Sequence, residues 1–182
     1  SHNYNPFFIE GMKSFGHEVF NEFHTDITDI IIPVGNGSLL IGAVKAYEEL
    51  IKLKKISNMP KMHCIQVEGF SPIVKKFNSK EWKFNEFSKT LAGGIAVSNP
   101  PRLNQVVESI RNSNGKAIEV SEANILNWHK ELASWGFLSE ITCAAALAGT
   151  EKLIESGVIN EKSNIVIPVT GSGLKDLDKV NF

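Results

Sequence analysis

Ile30-Ile31-Ile32-Pro33-Val34-Gly35-Asn36-Gly37-Ser38-Leu39-Leu40 is the stretch that decides the fold. A short apolar run ends in Gly-Asn-Gly-Ser, and an amphipathic stretch from Ile41 to Leu53 follows without a gap. That order reads as a buried strand, a tight glycine turn and a helix. Such a turn aims several backbone N–H groups, and the positive end of the helix dipole, at one point. Its natural guest is a phosphate group. No Gly-Lys-Ser/Thr follows, so the loop is not a Walker loop. Gly35, Gly37 and Gly42 also miss the Gly-x-Gly-x-x-Gly spacing of dinucleotide folds. By itself the loop is equally consistent with a plain structural turn.

Outward from this stretch, apolar runs alternate with helical periods. Helices are expected over Phe8 to Phe23, Ser38 to Lys55, Ser71 to Phe77, Arg102 to Asn112, Ser121 to Ser134 and Glu140 to Ser156. Pro100-Pro101 is expected to supply the first positions of the Arg102 helix. Strands are expected over residues 29–34, 62–67, 117–120 and 164–169. Residues 78–99 read as irregular, with a candidate surface loop at Asn78 to Lys89. Wholly apolar strands between helices predict an α/β fold, an open parallel sheet with helices on both faces.

Composition bounds the class. The chain has 182 residues, 42% hydrophobic, with a formal net charge of -1. Residues 1–182 read as a single domain. Charge balance gives no support for nucleic-acid or membrane-surface binding, and no apolar run approaches the length of a membrane span. The start, Ser1-His2-Asn3-Tyr4-Asn5-Pro6, lacks signal-peptide character and an initiator Met, so a piece of a longer chain is expected. Cys64 and Cys143 read as buried, reduced core thiols, which points to a cytoplasmic protein.

In open parallel sheets, ligands bind at the carboxyl ends of strands. Two expected strands end in glycine turns, Gly35-Asn36-Gly37-Ser38 and Thr170-Gly171-Ser172-Gly173. Right-handed crossovers put both on the same edge. Two such mouths suggest a flat phosphorylated ligand between them, with a Thr or Ser hydroxyl on a ring nitrogen. The alternative is two tight connections and nothing more.

Five segments, in order, carry a family resemblance. Asn5-Pro6-Phe7-Phe8-Ile9-Glu10-Gly11-Met12-Lys13-Ser14 is similar to Asn-Pro-x-x-x-Glu-Gly-x-Lys-Thr of the threonine synthases. Pro33-Val34-Gly35-Asn36-Gly37 is similar to their phosphate loop, and Thr90-Leu91-Ala92-Gly93-Gly94-Ile95-Ala96-Val97-Ser98-Asn99-Pro100 to the segment before their last helices. Glu140-Ile141-Thr142-Cys143-Ala144-Ala145 resembles Glu-Pro-Thr-Ser-Ala-Ala, and Val169-Thr170-Gly171-Ser172-Gly173-Leu174-Lys175-Asp176 resembles the closing Thr-Gly-x-Gly-Leu-Lys-Asp. The chain thus resembles the C-terminal part of the threonine synthases, among the tryptophan-synthase-β-like, fold type II pyridoxal-phosphate enzymes.

The resemblance implies the cofactor pyridoxal 5'-phosphate and a small amino-acid phosphate as substrate. Backbone N–H groups of Gly35, Asn36, Gly37, Ser38 and Leu39 would take the cofactor phosphate, and Thr170 would bond the pyridine nitrogen. Gly93 and Gly94 would line its neighbourhood. The implied reaction is loss of phosphate from O-phosphohomoserine, then addition of water at Cβ to give threonine. The full-length protein is expected to be a homodimer.

The departures are specific. Ser38-Leu39 stand where the family often has Gly-Asn, and Phe7 and Phe8 stand where some members have an Arg near the substrate phosphate. The Ser-Phe-Lys-Asp-Arg-like motif that holds the cofactor lysine is absent, as is the small domain, so no catalytic residue is assigned. Lys13 and Lys175 belong to other motifs. The 182 residues are therefore expected to be most of the cofactor-binding large domain, inactive alone. Two alternatives stand beside this. One is another fold type II enzyme, cysteate synthase-like or threonine/serine dehydratase-like. The other is a non-enzymatic domain that binds a phosphorylated ligand. His17, His24, His63 and His129 share no ligand spacing, so no metal site is expected. Trp82, Trp128 and Trp135 read as core or packing residues, and Glu10 as either a helix-start carboxylate or a group near the site.

Overall fold

The computed structural model describes residues 2–23 and 26–175. Among them the order is α1 (Pro6–Glu22), β1 (Asp29–Pro33), α2 (Ser38–Lys52), β2 (Lys61–Val67), α3 (Pro72–Phe77), α4 (Leu103–Asn112), β3 (Ala117–Val120), α5 (Glu122–Ser134), α6 (Ile141–Glu155) and β4 (Ile165–Val166). The sheet runs β3-β2-β1-β4 and every pairing is parallel. The expected parallel α/β sheet is the observed one.

Both faces of the sheet are covered, and the strand residues alternate between them. Ile30, Ile32, Met62 and Cys64 pack with α1, α2 and α4. Ile31, Ile65 and Val67 pack with α5 and α6. This is why β1 is three consecutive isoleucines: with both faces buried, no position faces water. The small residues of α2 let α1 lie against it closely. A Cβ on Gly42 would overlap Met12, and one on Gly16 would sit 2.7 Å from Ala46 Cβ.

Local chemistry sets the helix starts. Asn5 caps α1 by accepting the Phe7 N–H at 2.9 Å, with Pro6 at the first helical position. Ser121 caps α5 on the Asn124 N–H. Two sequence expectations differ from the structure. Pro100-Pro101 does not open a helix: α4 starts at Leu103, with Arg102 as its cap residue, and the two prolines form the preceding turn. The last strand is two residues, not six, and is the edge of the sheet. Pro168, two residues beyond it, has no N–H to give a ladder. Of the core or packing roles expected for the tryptophans, Trp135 takes the second: it is 56% exposed, with its ring edge-on to Trp128.

The order places a topological switch point. From β1 the chain moves one way to β2 and β3, then crosses back to add β4 on the other side of β1. The helix after β1 and the helix before β4 therefore cover opposite faces. Their connections meet at the carboxyl ends of β1 and β4, the place where open α/β sheets hold ligands.

Candidate functional site

The segment after β1 is fixed from both sides. Val34 donates its N–H to the Ile65 carbonyl at 2.8 Å, and its own carbonyl accepts from buried Gln66 Nε2 at 3.2 Å. Gln66 Oε1 meanwhile accepts the N–H groups of Ile73 and Val74, capping α3, whose Ser71 forms no side-chain cap. One amide thus holds the base of the glycine loop and the start of the next helix. Its signal in the sequence was a lone Gln among Met62, Cys64, Ile65 and Val67.

Gly37 caps α2 in the left-handed region, φ +85°, and forms no side-chain cap bond. The first helical N–H groups after it have no acceptor within the helix. The amides of Gly35 to Leu39 thus converge with nothing from the helix itself to satisfy them, an arrangement that can take an anion. Gly35 and Gly37 are buried, while Asn36, Ser38 and Leu39 are partly exposed. A Cβ on Gly37 would overlap Val106 of α4, and one on Gly35 would lie 2.8 Å from the Gly94 carbonyl. The turn is glycine-rich because the neighbouring chain is already there.

Gly94 leads to the second glycine turn. Its N–H donates to Thr142 Oγ1 at 3.1 Å, and Thr142 Oγ1 donates to Glu140 Oε1 at 3.1 Å. Glu140 donates its backbone N–H to the Gly171 carbonyl at 2.9 Å. Thr170 is exposed, and its Oγ1 is 3.5 Å from buried Cys143 Sγ. Cys143 gives its S–H to the Gly171 carbonyl at 3.7 Å, so its sulfur is at most a weak acceptor for the Thr170 hydroxyl. Adjacent strands lie roughly 4.8 Å apart, and β1 and β4 pair in parallel, so the segments that follow them leave from the same edge, or rim, of the sheet. Asp176, which ends the second motif, lies outside the described residues, as does His24.

The other candidates lie elsewhere. Glu10 sits in an ion cluster on the flank of α1 and α2. Lys13 first, then Lys45, hold its carboxyl down at about 2. Lys45 is about two turns into α2, roughly 10 Å along its axis from the glycine loop. Lys13 bridges Glu10 and Glu49, each at 2.7 Å, and Lys175 pairs with Glu140 at 3.1 Å. Neither is an uncommitted amine. Cys64 is fully buried, and burial pushes its thiol far up, so it is no nucleophile. No group of three or more ligating side chains able to hold a metal occurs among the described residues. No helix among them is long and apolar enough to cross a membrane. A cavity of about 560 Å³ is walled by Phe70, Thr90, Leu91, Ala96 and Glu122, not by the two glycine turns.

A family profile described as "Pyridoxal-phosphate dependent enzyme" matches residues 1–171. The chain is 33% identical over 178 residues to threonine synthase of Methanocaldococcus jannaschii, covering 96% of this chain and 44% of that protein. It is 35% identical over 176 residues to threonine synthase of Methanosarcina acetivorans, covering 94% and 44%. It thus spans a little under half the length of these curated relatives. Among solved structures it resembles a fungal L-serine ammonia-lyase from Rhizomucor miehei, with TM-score 0.77 and 19% identity. That match covers 96% of this chain and 56% of the other.

Proposed function

This chain belongs to the pyridoxal-phosphate-dependent enzymes, and from that premise we propose that it is most of the cofactor-binding large domain of a threonine synthase. The complete protein would convert O-phosphohomoserine and water to threonine and phosphate. The observation that carries the reading is the rim. The uncapped amides of α2 and the exposed Thr170 hydroxyl follow adjacent parallel strands. Identity of 33–35% to threonine synthases over nearly the whole chain supports the choice among related reactions.

The residues fit the cofactor. The amides of Gly35, Asn36, Gly37, Ser38 and Leu39 would hold its phosphate, helped by the dipole of α2. Thr170 would hold the ring nitrogen. A neutral hydroxyl does not give up its proton near pH 7, so this bond orients the ring without charging it. When bound, the cofactor supplies an electron-withdrawing ring that stabilises negative charge on substrate carbons. The resemblance implies that the amine that carries it belongs to a Ser-Phe-Lys-Asp-Arg-like motif, which is not among these 182 residues, and Lys13 and Lys175 are already paired. Without that lysine and a covering domain to exclude water, the piece alone would be inactive.

A second reading rests on Phe7 and Phe8. Phe7 is 81% exposed, at the position where a phosphate-binding Arg stands in some threonine synthases. A related fold type II enzyme acting on an amino acid without a phosphate would need no cation there. One assay decides. The full-length protein is given O-phosphohomoserine, L-threonine and L-serine, and threonine, phosphate and ammonia are measured. Threonine and equimolar phosphate from the first substrate alone is the expected result. Ammonia from serine or threonine, with no threonine from the first, overturns the proposal. Thr170→Val should lower cofactor affinity about tenfold, the worth of one hydrogen bond of about 1.4 kcal/mol, while Thr170→Ser retains it. Unchanged affinity in Thr170→Val removes Thr170 from the site.

A further inference from the structure

Glu140 is the cap residue of α6, but its carboxylate does not cap that helix. The side chains that ordinarily cap a first turn are those of Ser, Thr, Asp and Asn, and Glu is not among them. Here one oxygen accepts the Thr142 hydroxyl at 3.1 Å and the other accepts the Lys175 ammonium at 3.1 Å. The side chain is only 17% exposed. It lies between two glycines from opposite sides of the rim. A Cβ on Gly94 would come 3.0 Å from Oε1, and a Cβ on Gly171 would overlap Oε2. These two glycines leave room for Glu140.

We propose that Glu140 is the positioning residue of the site, a clamp that fixes the Gly94 backbone on one side and the Thr170-Gly171 turn on the other. This rests on the cofactor reading above and adds to it a residue that touches neither the phosphate nor the ring nitrogen. The bonds form one chain. Thr142 Oγ1 has one proton. It accepts the Gly94 N–H, so its proton goes to Glu140 Oε1. The carboxylate thereby sets the direction of the Thr142 hydroxyl, which in turn holds Gly94. Gly94 presses its carbonyl toward Gly35, at the base of the phosphate loop. On the other side, the Glu140 N–H holds the Gly171 carbonyl, and Ser139 pairs with Ser172 across an antiparallel bridge. Lys175 closes the turn from beyond. A single carboxylate couples the two halves of the rim, so the distance between the anion end and the hydroxyl end depends on it.

The test uses the full-length protein and its Glu140→Gln, Glu140→Ala and Lys175→Met variants. Amide hydrogen exchange is followed in peptides covering residues 90–97 and 168–175, and pyridoxal-phosphate affinity is measured by equilibrium dialysis. Lys175 is 65% exposed, so Lys175→Met should fold even if Glu140→Ala does not. Exchange should rise at least about tenfold in both peptides for either Glu140 variant, and cofactor affinity should fall about 10- to 100-fold, as for other supporting residues. Adding Lys175→Met to Glu140→Gln should change little, because the pair is already broken. Exchange that rises in neither peptide, or additive effects of the two substitutions, overturns the clamp. Failure of the native protein to bind the cofactor instead overturns the reading of the site. The exchange measurement still judges the clamp in that event.

Discussion

Gly37→Ala is the sharpest probe of the loop. Two separate costs fall on the new methyl. The backbone at φ +85° lies in the left-handed region, which charges a residue with a Cβ roughly 1–2 kcal/mol. The methyl also overlaps Val106, which is fully buried and cannot swing away. Overpacking of this kind costs about 1–3 kcal/mol. The sum is about 2–5 kcal/mol of stability. The two parts can be separated, because only the second depends on Val106. Val106→Ala alone loses two buried methyl groups, about 2 kcal/mol with the cavity included. In the double variant the new methyl occupies the vacated space. Its loss should therefore fall short of the sum of the single losses by about 1–3 kcal/mol, while the backbone cost remains. Urea unfolding followed by tryptophan fluorescence, with the four proteins at one slope, measures this cycle. Strict additivity, or a Gly37→Ala protein as stable as the native one, would refute the account of why the loop is glycine.

Two further outcomes follow from buried groups on the sheet. His63 is buried, and burial, against the pull of Asp29, holds its ring below the ordinary histidine value of 6.5. A depressed value means the unfolded chain binds the extra proton first. Stability should be level above about pH 7 and fall as pH drops below 6.5 through the depressed value, by up to about 1.4 kcal/mol per pH unit. The other charges facing His63 are Lys61 and Lys116. His63→Gln, which keeps a donor for Asp29, should lessen that slope, and an unchanged slope would show that His63 is not its source. Gly115→Ala should destabilise by about 3 kcal/mol, the upper end for overpacking, because its Cβ would overlap the backbone carbonyl of Met62 rather than a movable side chain. Unfolding that matches the native protein within about 0.5 kcal/mol would contradict the close approach of β2 and the turn before β3.

The strand-turn-helix unit was legible because it is local. Three isoleucines state that both faces of β1 are covered, and a glycine pair before an amphipathic run states where α2 begins. The parallel pairing of the sheet was legible too, since wholly apolar runs between helices imply strands covered on both faces, while the strand order β3-β2-β1-β4 came from the structure. What the sequence concealed is why the glycines are there. Their spacing invites the reading that each one makes room for a ligand. In the structure Gly37 faces Val106, Gly35 faces the Gly94 carbonyl, and Gly94 and Gly171 face Glu140. Each of these neighbours is between 31 and 69 residues away in sequence, so no local pattern records it. The same holds for Gln66, whose polarity marks it as unusual but whose three partners lie on two different segments. The ligand's room is made jointly. Tightly packed neighbours force glycine at the turns, glycine turns leave the amides of α2 bare, and bare amides at a switch point are what an anion requires. Packing and binding thus act on the same residues, which is why a substitution such as Gly37→Ala should be read in stability first and in cofactor affinity second.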